Sequence, residues 1–401
     1  MTIVMVIDLV DNKTNGSVMT VVRFAEGLRA RGHEVRLVAI GAEGEHDCPV
    51  EERYVPILTE VSAKNQVKFG KFDEEKIAKT FEGADIIHFI FPFKLEKQCK
   101  ALADKMGIPT TAAFHVQPEN ISYNIHMGKI KPVNDFIYSY FKKYYNKFDR
   151  IHCPSSFIAN QLSNHGYKGE LYVISNGYDP AFVPPATQHE RCGKFEIVMT
   201  GRLAPEKNQQ VLIKAIALSA HRDEIHLTLL GNGPKKAYLA ALAEKEGVDI
   251  SFDFLKKDDL IKRLQNSDLY VHAATVEIEA IAAIEAIACG LVPIISNSKL
   301  SATPQFAIDE RSLFTDNDEY SLAQKIDYWY EHDDERRIMG AVYANFATNF
   351  SLEKSLEKAE NMFRDEINSY NGTYNDSSEQ YNELKQSQHK GSNIAAAVSQ
   401  N

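Results

Sequence analysis

Short apolar runs alternate along the chain with longer segments whose apolar residues recur at helical spacing, and the alternation occurs twice. In the first half, "IVMVIDLV", "EVRLVAI", "DIIHFIF", "PTTAAFH", "RIHCPS" and "LYVISNG" read as strands, separated by helical patterns such as "VMTVVRFAEGLRARG". In the second, "FEIVMTG", "IHLTLLGNG", "DISFDF", "LYVHAA" and "LVPIISN" repeat the scheme. Strands alternating with helices predict parallel sheets wrapped on both faces, so the chain reads as an α/β protein of two doubly wound domains.

Between the two halves, "GYDPAFVPPATQHERCGK" carries three prolines and no periodicity, which suits a linker. It sets one domain over 1–184 and the other over 185–350. A helical pattern follows over 351–370. Residues 371–401, rich in Ser, Asn and Gln and poor in large apolar residues, read as a disordered tail. In open sheets of this kind ligands bind beyond the carboxyl ends of the strands, so two facing domains predict a site in the cleft between them.

The length, 401 residues, agrees with two cores rather than one. No apolar run reaches the roughly 18 residues of a membrane span, and the opening run lacks the basic flank of a signal peptide, so an intracellular protein is expected. The five cysteines lie far apart with no C-x-x-C spacing, which suggests buried thiols rather than a zinc site or disulfides. A net charge of −10 argues against nucleic acid as a partner. Residues 1–182 hold 22 Lys/Arg and 22 Asp/Glu, so the excess acid lies wholly in the second half.

Several stretches at strand ends carry candidate chemistry. In "ATVEIEAIAAIEAIACG", Glu277, Glu279 and Glu285 interrupt an Ala/Ile run. On one continuous helix, at about 100° per residue, Glu277 and Glu285 would share a face and Glu279 would fall off it. The plain alternative is a set of acids complementing a helix dipole. "MTGRLAPEKN" places Arg202 and Lys207 after a strand, where two cations suit a diphosphate, although an isolated pair is also an ordinary solvated loop. "LLGNGP" supplies Gly231 and Gly233 for close approach of a ligand to the backbone, but Lys236 stands where a dinucleotide fingerprint needs its third glycine. A nicotinamide dehydrogenase is thereby disfavoured. "NGSVMT" puts Gly16 before a helix whose amides can receive an anion. A lone histidine is more often a structural one, but His115 ends an apolar strand where the cleft is expected. "DND", Asp316 to Asp318, matches a manganese-binding pattern too short to be informative, and reads as surface.

Residues 129–150, "KIKPVNDFIYSYFKKYYNKFDR", interleave six Lys/Arg with aromatic residues, six Tyr/Phe lying between Tyr138 and Phe148. Lys142, Lys143 and Lys147 with Tyr144 and Tyr145 are the expected contacts to an anionic bilayer. The competing reading is a core helix with solvated lysines.

Taken together, "GR" and "EK" at 201–207, "GNG" at 231–233 and the E-x7-E pair followed by "AIACG" resemble the GT-B glycosyltransferases of family 4. "NGSVMT", "ERYVPILTEVS", "FHVQPENISYN", "IHCPS", "KNQQVLIKAIALS" and "FAIDERSLF" are similar to bacterial cholesterol α-glucosyltransferases and related diacylglycerol α-glucosyltransferases. The resemblance implies retaining transfer of glucose from UDP-glucose to a membrane-lipid hydroxyl, with 1,2-diacylglycerol as first acceptor and a sterol as second. A soluble acceptor is the further alternative, and a non-catalytic nucleotide-binding module the last. It also implies an enzyme peripheral to the inner face of the cell membrane, needing no cofactor and no metal.

Carried over by residue, the resemblance gives Arg202 and Lys207 to the diphosphate, Glu277 with the amides of Ile278, Ala280 and Ile281 to the sugar, and Glu285 to the ribose. Gly231, Gly233 and Leu255 would flank the uracil, Gly16 would face the phosphates, and His115 would touch the sugar. The family pattern has glycines where this chain has Ile278, Glu279 and Ala280, and the lipid-directed relatives have arginine where this chain has Pro304. Glu279 receives no role.

Overall fold

The computed structural model describes residues 1–11, 16–54, 68–124, 130–186 and 193–372. The first domain is built on β1 (Thr2–Leu9), β2 (Glu34–Ile40), β3 (Cys48–Pro49), β4 (Ile86–Phe89), β5 (Thr110–Ala113), β6 (Arg150–Cys153) and β7 (Glu170–Val173). They form a 7-stranded sheet in the order β3-β2-β1-β4-β5-β6-β7. All its pairings are parallel. In β1 every residue after Thr2 is buried, because helices cover both faces and leave no solvent side to alternate against.

The second domain repeats the plan with β8 (Phe195–Thr200), β9 (Ile225–Leu230), β10 (Ile250–Asp253), β11 (Leu269–His272), β13 (Pro293–Ser296) and β15 (Leu313–Phe314). Their order is β10-β9-β8-β11-β13-β15. Outside this sheet, β12 (Val276–Glu277) pairs with β14 (Leu300–Ser301). In each sheet the strand order reverses beside the first strand, between β1 and β4 and between β8 and β11, which is where such sheets open a crevice for ligands.

All eleven stretches read as strands contain one. The four missed, β3, β12, β14 and β15, are 2 residues long each, too short to show a period. Beyond the second domain the chain returns to the first. The helix over 352–372 sets Leu356, Ala359, Met362 and Phe363 into the core beneath β1 with Ile3, Met5 and Val21. Arg31 Nε donates to Glu360 Oε1 at 2.6 Å and Arg150 Nη1 to Glu366 Oε2 at 2.7 Å, so ion pairs flank the same seam. Residues 371 and 372, assigned to the tail by composition, continue this helix, and 373–401 lie outside the described residues.

Candidate active site

The loops after β8 and β9 meet backbone to backbone. Gly201 N donates to Leu230 O and Leu203 N to Asn232 O, both at 2.9 Å. A Cβ on Gly231 would stand 2.0 Å from the Gly201 oxygen, and one on Gly233 would stand 2.4 Å from the Leu203 oxygen. The glycines are therefore demanded first by the neighbouring loop, a reason additional to ligand approach. Gly231 N also donates to Asp253 O at 2.8 Å, which brings the end of β10 alongside. Leu255, just beyond it, is half-buried against the second-domain core.

Lys207 closes a single turn, Pro205–Lys207, and its ammonium donates to Glu277 Oε1 on β12. His272 Nε2, at the end of β11, lies 3.1 Å from the same oxygen. Burial alone would raise the Glu277 pKa, but the Lys207 charge and the His272 hydrogen bond outweigh it and bring it down to about 2. Arg202 is more open, its Nη2 2.9 Å from Oε1 of the buried Glu206.

Glu277 and Glu285 do not share a helix. The chain is a strand through Glu277, turns at Ala280 with φ 70°, and becomes helical only at Ile281–Ala288. The turn needs a left-handed residue, the conformation glycine adopts without strain, and Ala280 holds it here. No side chain caps the helix that follows.

First-domain residues clamp this turn. Ser155 Oγ donates to Ile278 O at 2.7 Å and Gln117 Nε2 donates to Leu300 O on β14 at 3.1 Å. Asn176 N, past the end of β7, donates to Glu279 Oε2 at 2.8 Å. Glu279 thus ties the domains together, which no local sequence signal disclosed. Burial pushes its pKa up to about 7, although Ser175, Asn176 and Arg23 oppose the rise. Burial does the same for Glu285, also to about 7, with Arg23 of the first domain lowering it and Asp179 raising it.

His115 follows β5, is buried, and meets the His152 ring edge-on at 5.3 Å. Burial and then the neighbouring His152 hold its pKa well below the ordinary value, so it is neutral. Gly16 is exposed and opens the helix Gly16–Ala30. Pro304 occupies the first turn of a short 3₁₀ segment, where an absent N–H costs nothing. In "DND", Asp316 Oδ1 accepts from Ser296 Oγ at 2.7 Å and Asp318 caps the helix Glu319–Glu331 through Ser321 N at 3.0 Å.

The bilayer expectation needs correction at two residues. Tyr144 and Tyr145 are buried in the core, because the helix Lys131–Tyr145 turns that face toward β5, where Tyr145 OH donates to Ala113 O at 3.0 Å. Lys142 donates to His165 O at 3.0 Å. The outward rings are Phe136 and Tyr140, 72% and 52% exposed, with Lys143 and Lys147 exposed as well. Lys129 lies outside the described residues. Among the described residues no helix is long and apolar enough to cross a membrane.

The model of "Glycosyltransferase Family 4" matches residues 14–182, and that of "Glycosyl transferases group 1" matches residues 186–343. The chain belongs to the family 4 glycosyltransferases. Its two facing sheets are the GT-B fold, shared with the sucrose-phosphate synthase of Thermosynechococcus elongatus (TM-score 0.75, 16% identity, 91% of this chain and 98% of that one). It is 26% identical to a GDP-mannose-dependent α-mannosyltransferase of Corynebacterium glutamicum, over 69% of this chain and 68% of that protein. It is 25% identical to an α-monoglucosyldiacylglycerol synthase of Streptococcus pneumoniae, over 55% of this chain and 53% of that protein's length. The catalytic domain of cholesterol-α-glucosyltransferase from Helicobacter pylori is 51% identical over 39% of this chain and 99% of its own, with a TM-score of 0.39.

Proposed function

We propose that this glycosyltransferase moves glucose from UDP-glucose, with retention, to the hydroxyl of a membrane lipid, diacylglycerol before a sterol. The observation that carries the donor half is the meeting of Lys207, Glu277 and His272 at the strand ends, beside Arg202 and an uncapped helix start. Lys207 and Arg202 are the cations for the diphosphate, and the helix start adds its dipole to the charge developing on the leaving group. Glu277, ionised at every physiological pH, accepts from sugar hydroxyls while its tie to Lys207 fixes the distance between sugar and phosphate sites. Glu285 takes the ribose hydroxyls. On this reading the leaving phosphate helps to deprotonate the acceptor on the same face, and the protein supplies position and charge without metal or cofactor.

The acceptor half is supported by the outward Phe136 and Tyr140 beside Lys143 and Lys147, a surface suited to an anionic bilayer, and by the lipid named in the S. pneumoniae relative. A GDP-mannose donor is the second reading, favoured by the C. glutamicum relative. Calorimetry with UDP and GDP separates the two: the proposal expects UDP to bind at least tenfold more tightly, about 1.4 kcal/mol. Equal or tighter binding of GDP overturns the choice of donor.

A further inference from the structure

Arg23 lies on the first-domain helix Gly16–Ala30, with Nη1 3.8 Å from Oε1 of Glu285 in the second domain. Both side chains are largely enclosed, 13% and 17% exposed. At that separation the two are an ion pair without a direct hydrogen bond, so the Glu285 oxygens keep their lone pairs for another donor. The rest of the surroundings oppose a charge on Glu285. Asp179, on the segment leaving β7, repels it, and the Asp179 carboxylate is itself engaged by Lys257 at 2.8 Å. Tyr270 on β11 and Cys289, at the end of the same helix, face it and bring no positive charge. Among the described groups acting on Glu285, Arg23 is the favourable one, and it comes from the opposite domain.

We propose that Arg23 is a positioning residue which the first domain contributes to the nucleoside site: across the cleft it favours the ionised form of Glu285, which accepts the ribose hydroxyls, so donor affinity depends on contact between the domains. The inference rests on the assignment of Glu285 to the ribose. A carboxylate offers acceptors to two hydroxyls at once, whereas a protonated carboxyl must spend one oxygen as a donor.

The test is UDP affinity by calorimetry between pH about 6 and about 9 on the full chain, for wild type, Arg23→Met, Arg23→Lys and Glu285→Gln. Methionine keeps the apolar stem and removes the charge. Wild-type affinity should weaken as pH falls through about 7, where burial, opposed by the Arg23 charge, places Glu285. In Arg23→Met the midpoint should rise, and a rise of about one pH unit weakens UDP binding at neutral pH about fivefold while sparing it at alkaline pH. Arg23→Lys should follow wild type. Glu285→Gln should bind weakly with a flat profile, and adding Arg23→Met to it should change nothing. If Glu285→Gln binds UDP like wild type, the ribose assignment falls. If Glu285→Gln behaves as expected but Arg23→Met keeps the wild-type midpoint, or loses affinity equally at every pH, the role of Arg23 is overturned while the donor site stands. Should Arg23→Met not fold, the midpoint of Arg23→Gln decides in the same way.

Discussion

The half-buried Lys207 and the buried Glu277 form an ion pair that joins the turn after β8 to β12, and His272 shares the same carboxylate oxygen. Removing one member of such a pair leaves its partner's charge buried. Lys207→Ala should therefore cost stability, about 3 kcal/mol, and turnover, about 10²-fold. Lys207→Met combined with Glu277→Gln should recover most of the stability and none of the turnover, as urea unfolding and donor hydrolysis would show. Recovered turnover in the double variant would mean the pair is structural only.

Arg202 is half-open, so its pair with Glu206 is partly solvated and Arg202→Ala should cost less stability than Lys207→Ala. Its turnover should still fall about 10²-fold if the guanidinium stabilises the leaving diphosphate. Turnover within threefold of wild type would remove it from the site.

The buried carboxyls contribute to the pH dependence of stability with opposite signs. Glu277, lowered to about 2, contributes stability that is complete above the unfolded carboxyl pKa and lost as pH falls from there toward 2. Glu279 and Glu285, raised to about 7, act oppositely: the folded protein holds protons the unfolded chain has released, so stability falls as pH rises from the unfolded pKa to about 7. The buried His88, His115 and His152, held below their ordinary pKa, act the other way over the same range, so the test is a difference: between pH about 5 and about 8 the ligand-free Tm of Glu279→Gln with Glu285→Gln should rise relative to that of wild type. Tm profiles of the same shape in wild type and the double variant would contradict the burial assigned to both groups.

On the helix Lys131–Tyr145 and the turn that follows it, Lys143→Glu with Lys147→Glu should weaken sedimentation with anionic liposomes about 30-fold, about 1 kcal/mol for each cation lost. Wild-type association should itself weaken in salt, since exposed charges are screened within about 8 Å. Tyr144→Ala and Tyr145→Ala should instead lower Tm, because those rings fill the core. Liposome binding unchanged in the charge-reversed variant would detach the helix from the membrane.

Activity should survive EDTA, since the phosphate charge falls to Arg202, Lys207 and a helix start, while Asp316 and Asp318 are engaged by Ser296 and Ser321. Loss on chelation with rescue by manganese would reopen the "DND" reading.

Most strands were legible because they are buried runs apolar enough to stand out between helical patterns, while β7 and β10, at the sheet edges, are only partly buried. The glutamates were legible as chemistry but not as geometry. Periodicity assumed one helix across 274–290, whereas the left-handed Ala280 breaks it, and no side-chain pattern announces a positive φ at alanine. Glu279 and Arg23 act across the cleft, on Asn176 and Glu285, and contacts between domains leave no local spacing to read. Alternating lysines and rings over 129–150 could not say which rings faced out. Packing against β5 decided that, turning Tyr144 and Tyr145 inward and leaving Phe136 and Tyr140 in solvent.

The most direct test of the account is product analysis. The full chain is incubated with liposomes containing diacylglycerol or sterol and, in separate reactions, UDP-glucose, UDP-galactose, UDP-N-acetylglucosamine and GDP-mannose, and the lipids are read by mass spectrometry and proton NMR. The account predicts an α-linked monoglucosyl lipid from UDP-glucose, formed on diacylglycerol in preference to sterol and absent in Arg202→Ala. A β-linked product, or a mannosyl lipid from GDP-mannose with UDP-glucose left unconsumed, would contradict it.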